Sequence, residues 1–294
     1  MSAVVQAFAA DQAGAARLAD ALGLGLETVR LHVFPDREVL PTVTPFAGVV
    51  IAYCPLNQPN AKLMSLMLAC DAWRRGGATR LILVAPYMCY LRQDTVFAPG
   101  QALSRDVIGR LLGERFDRIV TVEPHLHRTS DLGAVFAPAQ VTALSAAEPL
   151  ARAIGADPPP VVIGPDGESE PWARAIGEAL GAPHMTLRKT RHGDHRVDLC
   201  LDGGADLKGR RAVIIDDICS SGGTLEAAVR LALAQGAERV EVAVVHALFD
   251  WATARRLAEA GASRIISTDS CPHPSNAVAL APILAAALTE EIST

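Results

Sequence analysis

Aromatic residues are scarce in this 294-residue sequence, at 4%, so its core must be built mainly from aliphatic side chains. Half the residues are hydrophobic, which leaves enough apolar surface for two domains of ordinary size. An excess of basic charge is also missing. Lysine and arginine number 27 against 32 acids, for a formal net charge of −5. That balance argues against general affinity for nucleic acid or for an anionic membrane. Long apolar runs are absent too, because the stretch from Ala277 to Leu288 is broken by Pro282 and falls short of a bilayer span. No basic segment followed by an apolar one opens the sequence, so no secretion signal is expected. The six cysteines (54, 70, 89, 200, 219 and 271) show no C-x-x-C spacing. Several sit in apolar patterns where cysteine acts as a small hydrophobe, and a reducing cytoplasm is the expected home.

What is present is a repeated alternation. Short apolar runs predict strands over Ala3–Ala9, Gly48–Cys54, Arg80–Pro86, Arg118–Val122, Pro160–Gly164, Arg211–Asp216, Val240–His246 and Arg264–Thr268. Between them, helical patterns cover Gln12–Leu22, Ala61–Arg75, Ser104–Leu112, Glu168–Leu180, Leu225–Gln235 and Trp251–Ala260. Strands alternating with amphipathic helices imply right-handed β-α-β units and mostly parallel sheets flanked by helices. The pattern runs twice, which divides the chain into halves at 1–145 and 146–294. The proline-rich Ala156–Pro160 leads into the second set.

The most informative stretch is Ala212 to Leu225. It begins as a continuous apolar run, the mark of a strand buried on both faces of a sheet. Asp216 and Asp217 follow, then Ser220, Ser221, Gly222, Gly223 and Thr224, and then a helical pattern. Strand, tight turn and helix together aim backbone N–H groups and the positive end of a helix dipole at one spot, which suits a phosphate. The glycines let the backbone approach it, and the hydroxyls add donors. Two carboxylates beside that spot suit neutral donors such as vicinal sugar hydroxyls, or a metal. A phosphorylated sugar satisfies both halves.

Weaker signals lie elsewhere. Phe34-Pro35-Asp36-Arg37-Glu38 reads as a surface turn. Arg92, Gln93 and Asp94 follow a core strand and combine a phosphate-binding fork, an amide edge and a carboxylate; a solvated loop with a local ion pair accounts for them equally well. His125 and His127 stand just beyond another strand, where ligands gather in open α/β sheets, and an H-x-H spacing can hold a metal. Asp166, after the strand ending at Gly164, can support a hard cation or serve as a turn residue before a helix. The basic run Leu187–Arg196, with Lys189 and Arg191, reads as a cationic loop able to close on a polyphosphate, or as a solvated face.

In this order the motifs resemble those of the ribose-phosphate pyrophosphokinases, and the 216–224 loop is also similar to that of type I phosphoribosyltransferases. The resemblance runs from the first strand to about Ala287 and implies two phosphoribosyltransferase-like α/β domains. It implies transfer of the diphosphoryl group of ATP to the 1-hydroxyl of ribose 5-phosphate, giving 5-phosphoribosyl 1-diphosphate and AMP, with Mg2+ as cofactor. Phe34, Asp36 and Glu38 would contact adenine from a neighbouring subunit, which makes the protein a homo-oligomer. Arg92, Gln93, Asp94 and His125 would bind ATP. His125 and Asp166 would attend the metal, and Lys189 and Arg191 would be the catalytic cations. Asp216, Asp217, Ser220, Ser221, Gly222, Gly223 and Thr224 would bind ribose 5-phosphate. The chain departs from the family pattern at Arg37 (often glycine), at Cys54 (often the serine of a phosphate-binding Gln-Ser pair), at Asp166-Gly167-Glu168 and at Ser221. Two other readings are a phosphoribosyltransferase that consumes the diphosphate, and a non-catalytic relative that binds nucleotide and a partner subunit.

Overall fold

The computed structural model describes residues 2–125, 131–192, 196–202 and 204–292, with the backbone alone at 189–192 and 196–201. The chain divides into two units, one of Met1–Leu144 with Leu280–Thr294 and one of Ser145–Ala279.

The first unit opens with β1 (Ala3–Phe8), α1 (Gln12–Leu22), β2 (Leu26–Val33), β3 (Val39–Thr42), β4 (Val49–Tyr53) and α2 (Pro59–Arg75). It continues with β5 (Arg80–Ala85), α3 (Ser104–Gly113), β6 (Arg118–Val122), α4 (Leu132–Val135) and β7 (Gln140–Leu144). The sheet order is β3-β2-β1-β4-β5-β6-β7. All neighbours are parallel except β2 and β3, which form an antiparallel hairpin at one edge. β4 is buried at every position, and β5 at all but its first, as expected of central strands covered by helices on both faces.

The second unit contains α5 (Ala147–Ile154), β8 (Val161–Gly164), α6 (Glu170–Leu180), β9 (His184–His192), β10 (Arg196–Asp202), β11 (Arg211–Cys219) and α7 (Gly223–Ala234). β12 (Arg239–Ala247), α8 (Trp251–Glu259), β13 (Ala262–Thr268) and β14 (Asn276–Val278) complete it. Its sheet order, β10-β9-β8-β11-β12-β13-β14, is that of the first unit with every strand number raised by seven. Again the only antiparallel pair among the described strands is the edge hairpin, here β9–β10. Its core is aliphatic, with Val161, Ile163, Ile214, Leu225, Val229, Val242, Val244 and Leu257 among its buried members.

The last helix, α9 (Ala281–Ile292), returns to the first unit and packs on α1 and β7. This corrects the expected extent of the second half, which ran to residue 294. Its apolar pattern is helical, but its partners are distant in sequence. Glu291 accepts hydrogen bonds from Arg80 and Arg118, and Arg118 Nη2 also donates to the Ala287 carbonyl at 3.0 Å.

Two further corrections concern the edges. The Phe34–Glu38 turn joins two strands, β2 and β3, that the sequence reading left out. The basic run from Leu187 to His192 is part of β9 rather than a loop, in register with β10 as Lys189 opposite Leu199 and Arg191 opposite Val197. Among the described residues no helix is long and apolar enough to cross a membrane.

Candidate active site

β11 carries the acidic pair further into the sheet than the sequence suggested. The expected strand stops at Asp216, whereas the ladder to β12 continues with Asp216 opposite Val244, Ile218 opposite His246 and Cys219 opposite Ala247. Asp217 is buried and Asp216 half-buried. The Asp217 N–H donates to Asp216 Oδ1 at 3.0 Å. These aspartates are therefore held by the sheet, not by a loop.

The chain then turns through Ser220, Ser221 and Gly222, and α7 starts at Gly223. Gly222 adopts φ +74, a left-handed conformation that glycine takes without penalty. A Cβ there would lie 2.5 Å from the Thr253 methyl, so both backbone and space demand glycine. At Gly223 an added Cβ would meet nothing within 4 Å. Among the described residues, the backbone N–H groups of Gly222, Gly223 and Thr224 find no acceptor. Such orphan donors at the positive end of a helix dipole form an anion seat.

Asp166 follows β8, the strand next to β11, with Ile163 in register with Ile214. Because both strands end on the same side of a parallel sheet, Asp166 comes close enough to act on Asp216. Asp166 Oδ1 accepts from the Glu168 and Ser169 N–H groups at 3.0 Å each, so it also orders the turn before α6. Burial, followed by the charges of Asp217 and Asp166, pushes the Asp216 carboxyl well above the ordinary carboxylate range. Such crowded negative charge is relieved by sugar hydroxyls or by a hard cation. Among the described residues no group of three or more histidine, cysteine or acidic side chains encloses a metal. Magnesium, however, is commonly held by one or two carboxylates with waters and substrate phosphates, and Asp166 beside Asp216 fits that pattern.

In the first unit, the Phe34–Glu38 turn is tied by the Phe34 N–H to the Glu38 carbonyl at 2.8 Å and by the Arg37 N–H to the Phe34 carbonyl at 2.9 Å. Asp36 Oδ1 accepts from the Glu38 N–H at 3.1 Å. Arg37 sits at φ +73, a left-handed conformation that a glycine would take without strain. Phe34 is exposed, as are Leu31, Val33 and Leu40 on the same hairpin. Arg92 and Gln93 are exposed after β5 and Asp94 is half-buried. The Gln93 N–H donates to the Tyr90 carbonyl at 3.1 Å, and the Gln93 carbonyl accepts from the Arg105 N–H at 3.3 Å, which ties the cluster to α3. His125 stands just past β6 with φ +54, preceded by Glu123 at φ +39. Two non-glycine residues in the left-handed region mark a turn shaped for something other than local comfort.

His127 lies outside the described residues, as do the side chains of Lys189 and Arg191, whose backbone lies on β9. The sequence reading missed Arg256 on α8, whose Nη2 donates to the Ser221 carbonyl at 2.6 Å. No local motif marks it, since α8 reads as an ordinary amphipathic helix.

Both units of the chain have counterparts among known proteins. Residues 4–114 match the N-terminal domain of ribose phosphate pyrophosphokinase, and residues 144–281 match the phosphoribosyl transferase domain. The ribose-phosphate pyrophosphokinase of Methanopyrus kandleri is 34% identical over 279 residues, covering 92% of this chain and 94% of that protein. That of Halobacterium salinarum is 35% identical over 283 residues, covering 94% and 97%. The crystal structure of phosphoribosylpyrophosphate synthetase from Mycobacterium smegmatis superposes with a TM-score of 0.84 at 27% identity, covering 98% of each chain. With both domain types matched in order along nearly its full length, the chain belongs to the ribose-phosphate pyrophosphokinase family.

Proposed function

We propose that the turn from Asp216 to Thr224 seats ribose 5-phosphate in a ribose-phosphate pyrophosphokinase reaction. The chain is an enzyme that transfers the diphosphoryl group of ATP to the 1-hydroxyl of ribose 5-phosphate, giving 5-phosphoribosyl 1-diphosphate and AMP. The observation that carries the assignment of the seat is the row of N–H groups at Gly222, Gly223 and Thr224 that find no acceptor among the described residues, soon after two sheet-held aspartates.

In this reading those N–H groups, with the hydroxyls of Ser220, Ser221 and Thr224, grip the 5-phosphate. Asp216 and Asp217 accept hydrogen bonds from the ribose hydroxyls and so fix the anomeric oxygen for in-line attack. Positioning of this kind supplies much of the rate in phosphoryl transfer. Arg92, Gln93, Asp94 and His125 bind the nucleotide. Lys189 and Arg191, on β9, stabilise charge spreading over the transferred group and the departing AMP. Asp166 would hold magnesium beside the acidic pair, and His125 would attend the metal carried by the nucleotide. When bound, magnesium neutralises the triphosphate and polarises the phosphoryl oxygens. The exposed Phe34, Asp36 and Glu38 turn reaches the adenine of a neighbouring copy, which makes the working form a homo-oligomer.

The test is a magnesium-dependent assay of ATP with ribose 5-phosphate, with free ribose as control. AMP and 5-phosphoribosyl 1-diphosphate should form only with the phosphorylated sugar. Lys189→Ala and Arg191→Ala should each lower turnover by roughly two to three orders of magnitude. Consumption of 5-phosphoribosyl 1-diphosphate with a nucleobase, and no AMP from ATP, would instead establish a phosphoribosyltransferase.

A further inference from the structure

Arg256 lies on α8, outside the segments assigned to either substrate, yet its guanidinium reaches the sugar-phosphate turn. Nη2 donates to the Ser221 carbonyl at 2.6 Å and to Thr253 Oγ1 at 3.1 Å, while Nε lies 3.6 Å from Glu226 in the first turn of α7. The helix carrying it is itself fixed at its start, where Asp250 Oδ1 accepts from the Thr253 N–H at 2.9 Å. Thr253 in turn occupies the space that a side chain at Gly222 would need.

The consequence follows from peptide geometry. The carbonyl of Ser221 and the N–H of Gly222 belong to one planar trans peptide, so they point in opposite directions. Anchoring the carbonyl on Arg256 therefore turns the Gly222 N–H away from α8. That N–H is the first of the donors that find no acceptor among the described residues. We propose that Arg256 is a positioning residue for ribose 5-phosphate, holding the Ser221 carbonyl so that the Gly222 N–H faces the sugar's phosphate. The inference rests on the reading of this turn as the ribose 5-phosphate seat.

A charge-only role and a fork role separate by substitution. Lysine keeps the cation but loses the planar guanidinium that reaches Ser221 and Thr253 through Nη2 and faces Glu226 through Nε, whereas methionine keeps the stem and loses both. The experiment measures ribose 5-phosphate affinity by calorimetry, together with KM for each substrate, in wild type, Arg256→Lys and Arg256→Met. Loss of a hydrogen bond from a charged donor predicts that Arg256→Met raises Kd and KM for ribose 5-phosphate by roughly tenfold or more. KM for ATP should stay within about twofold, and Arg256→Lys should recover part of the loss. A merely structural tie would shift melting temperature without this one-substrate split. If Arg256→Met does not fold, Arg256→Lys carries the same comparison. Folded variants that bind ribose 5-phosphate like wild type would overturn the inference alone. A wild-type protein that binds no ribose 5-phosphate would overturn the reading of the turn beneath it.

Discussion

Arg118 and Glu291, separated by most of the chain, meet at 3.0 Å through Nη1 and Oε1, with their side chains only 14% and 13% exposed. Arg80 joins them, its Nε 2.7 Å from Glu291 Oε2. The two guanidiniums hold the Glu291 carboxyl below its ordinary range, the hydrogen bond from Arg80 being the largest cause.

A carboxylate whose pKa is depressed by folding stabilises the protein above its unfolded pKa, and that stability is lost as pH falls through the folded value. Glu291→Gln is therefore expected to cost about 1–3 kcal/mol near pH 7, the range for hydrogen bonds to charged groups. The gap between variant and wild type should narrow as pH falls below the ordinary carboxylate range and through the lowered value of the native carboxyl. Denaturant melts at pH 7 and pH 3.5 measure it. An equal gap at both would mean that charge is not what ties α9 to the first unit.

The two glycines of the turn should behave oppositely. Gly222→Ala forces a side chain into the left-handed region and against the Thr253 methyl, at a cost of about 1–3 kcal/mol. Gly223→Ala meets open space at the start of a helix, where alanine is the better residue, so stability should hold or rise by up to about 1 kcal/mol. If that space belongs to the phosphate, the same stable variant loses ribose 5-phosphate affinity. Thermal melts paired with KM measurements decide it; a stable Gly223→Ala with normal KM would empty the space of its ligand.

Asp216 should exhibit a trade between stability and function. Its carboxyl is raised in the folded state, so folding loses stability as pH climbs from the unfolded value near 4 toward the raised one. Asp216→Asn removes that titration and keeps an oxygen for the Asp217 N–H. The ligand-free variant is expected to be more stable at neutral pH by about 1–2 kcal/mol, with the advantage gone below pH 4. Turnover should fall at least tenfold, because the amide is a poorer acceptor for sugar hydroxyls. A variant no more stable than wild type at pH 7 would show that neither burial nor the neighbouring acids burden the Asp216 carboxylate.

Much of this architecture was legible from residue order, for reasons that also explain the gaps. β4, β8 and the first half of β11 are buried on both faces and spell unbroken apolar runs. Edge strands obey a different rule. Most of β2 faces solvent, and β9 carries Arg188, Lys189, Arg191 and His192, so charge masked both hairpins as loops. The glycine-hydroxyl turn and its aspartates announced themselves because their chemistry is contiguous. The approach of Asp166 to Asp216 depends instead on β8 lying beside β11 with two strands of sequence between them. Arg256 and Glu291 act through partners tens to hundreds of residues away, and nothing next to them in sequence hints at it.

That Asp216 and Asp217 belong to the ladder running on to Cys219 and Ala247 bears on selectivity. If ribose 5-phosphate is seated there as proposed, it meets a template fixed by the sheet, which would resist a different stereochemistry at the hydroxyl-bearing carbons. On the proposed reading, discrimination among pentose phosphates would be built into the backbone of the sheet, and whatever rearranges during turnover would travel to the sugar.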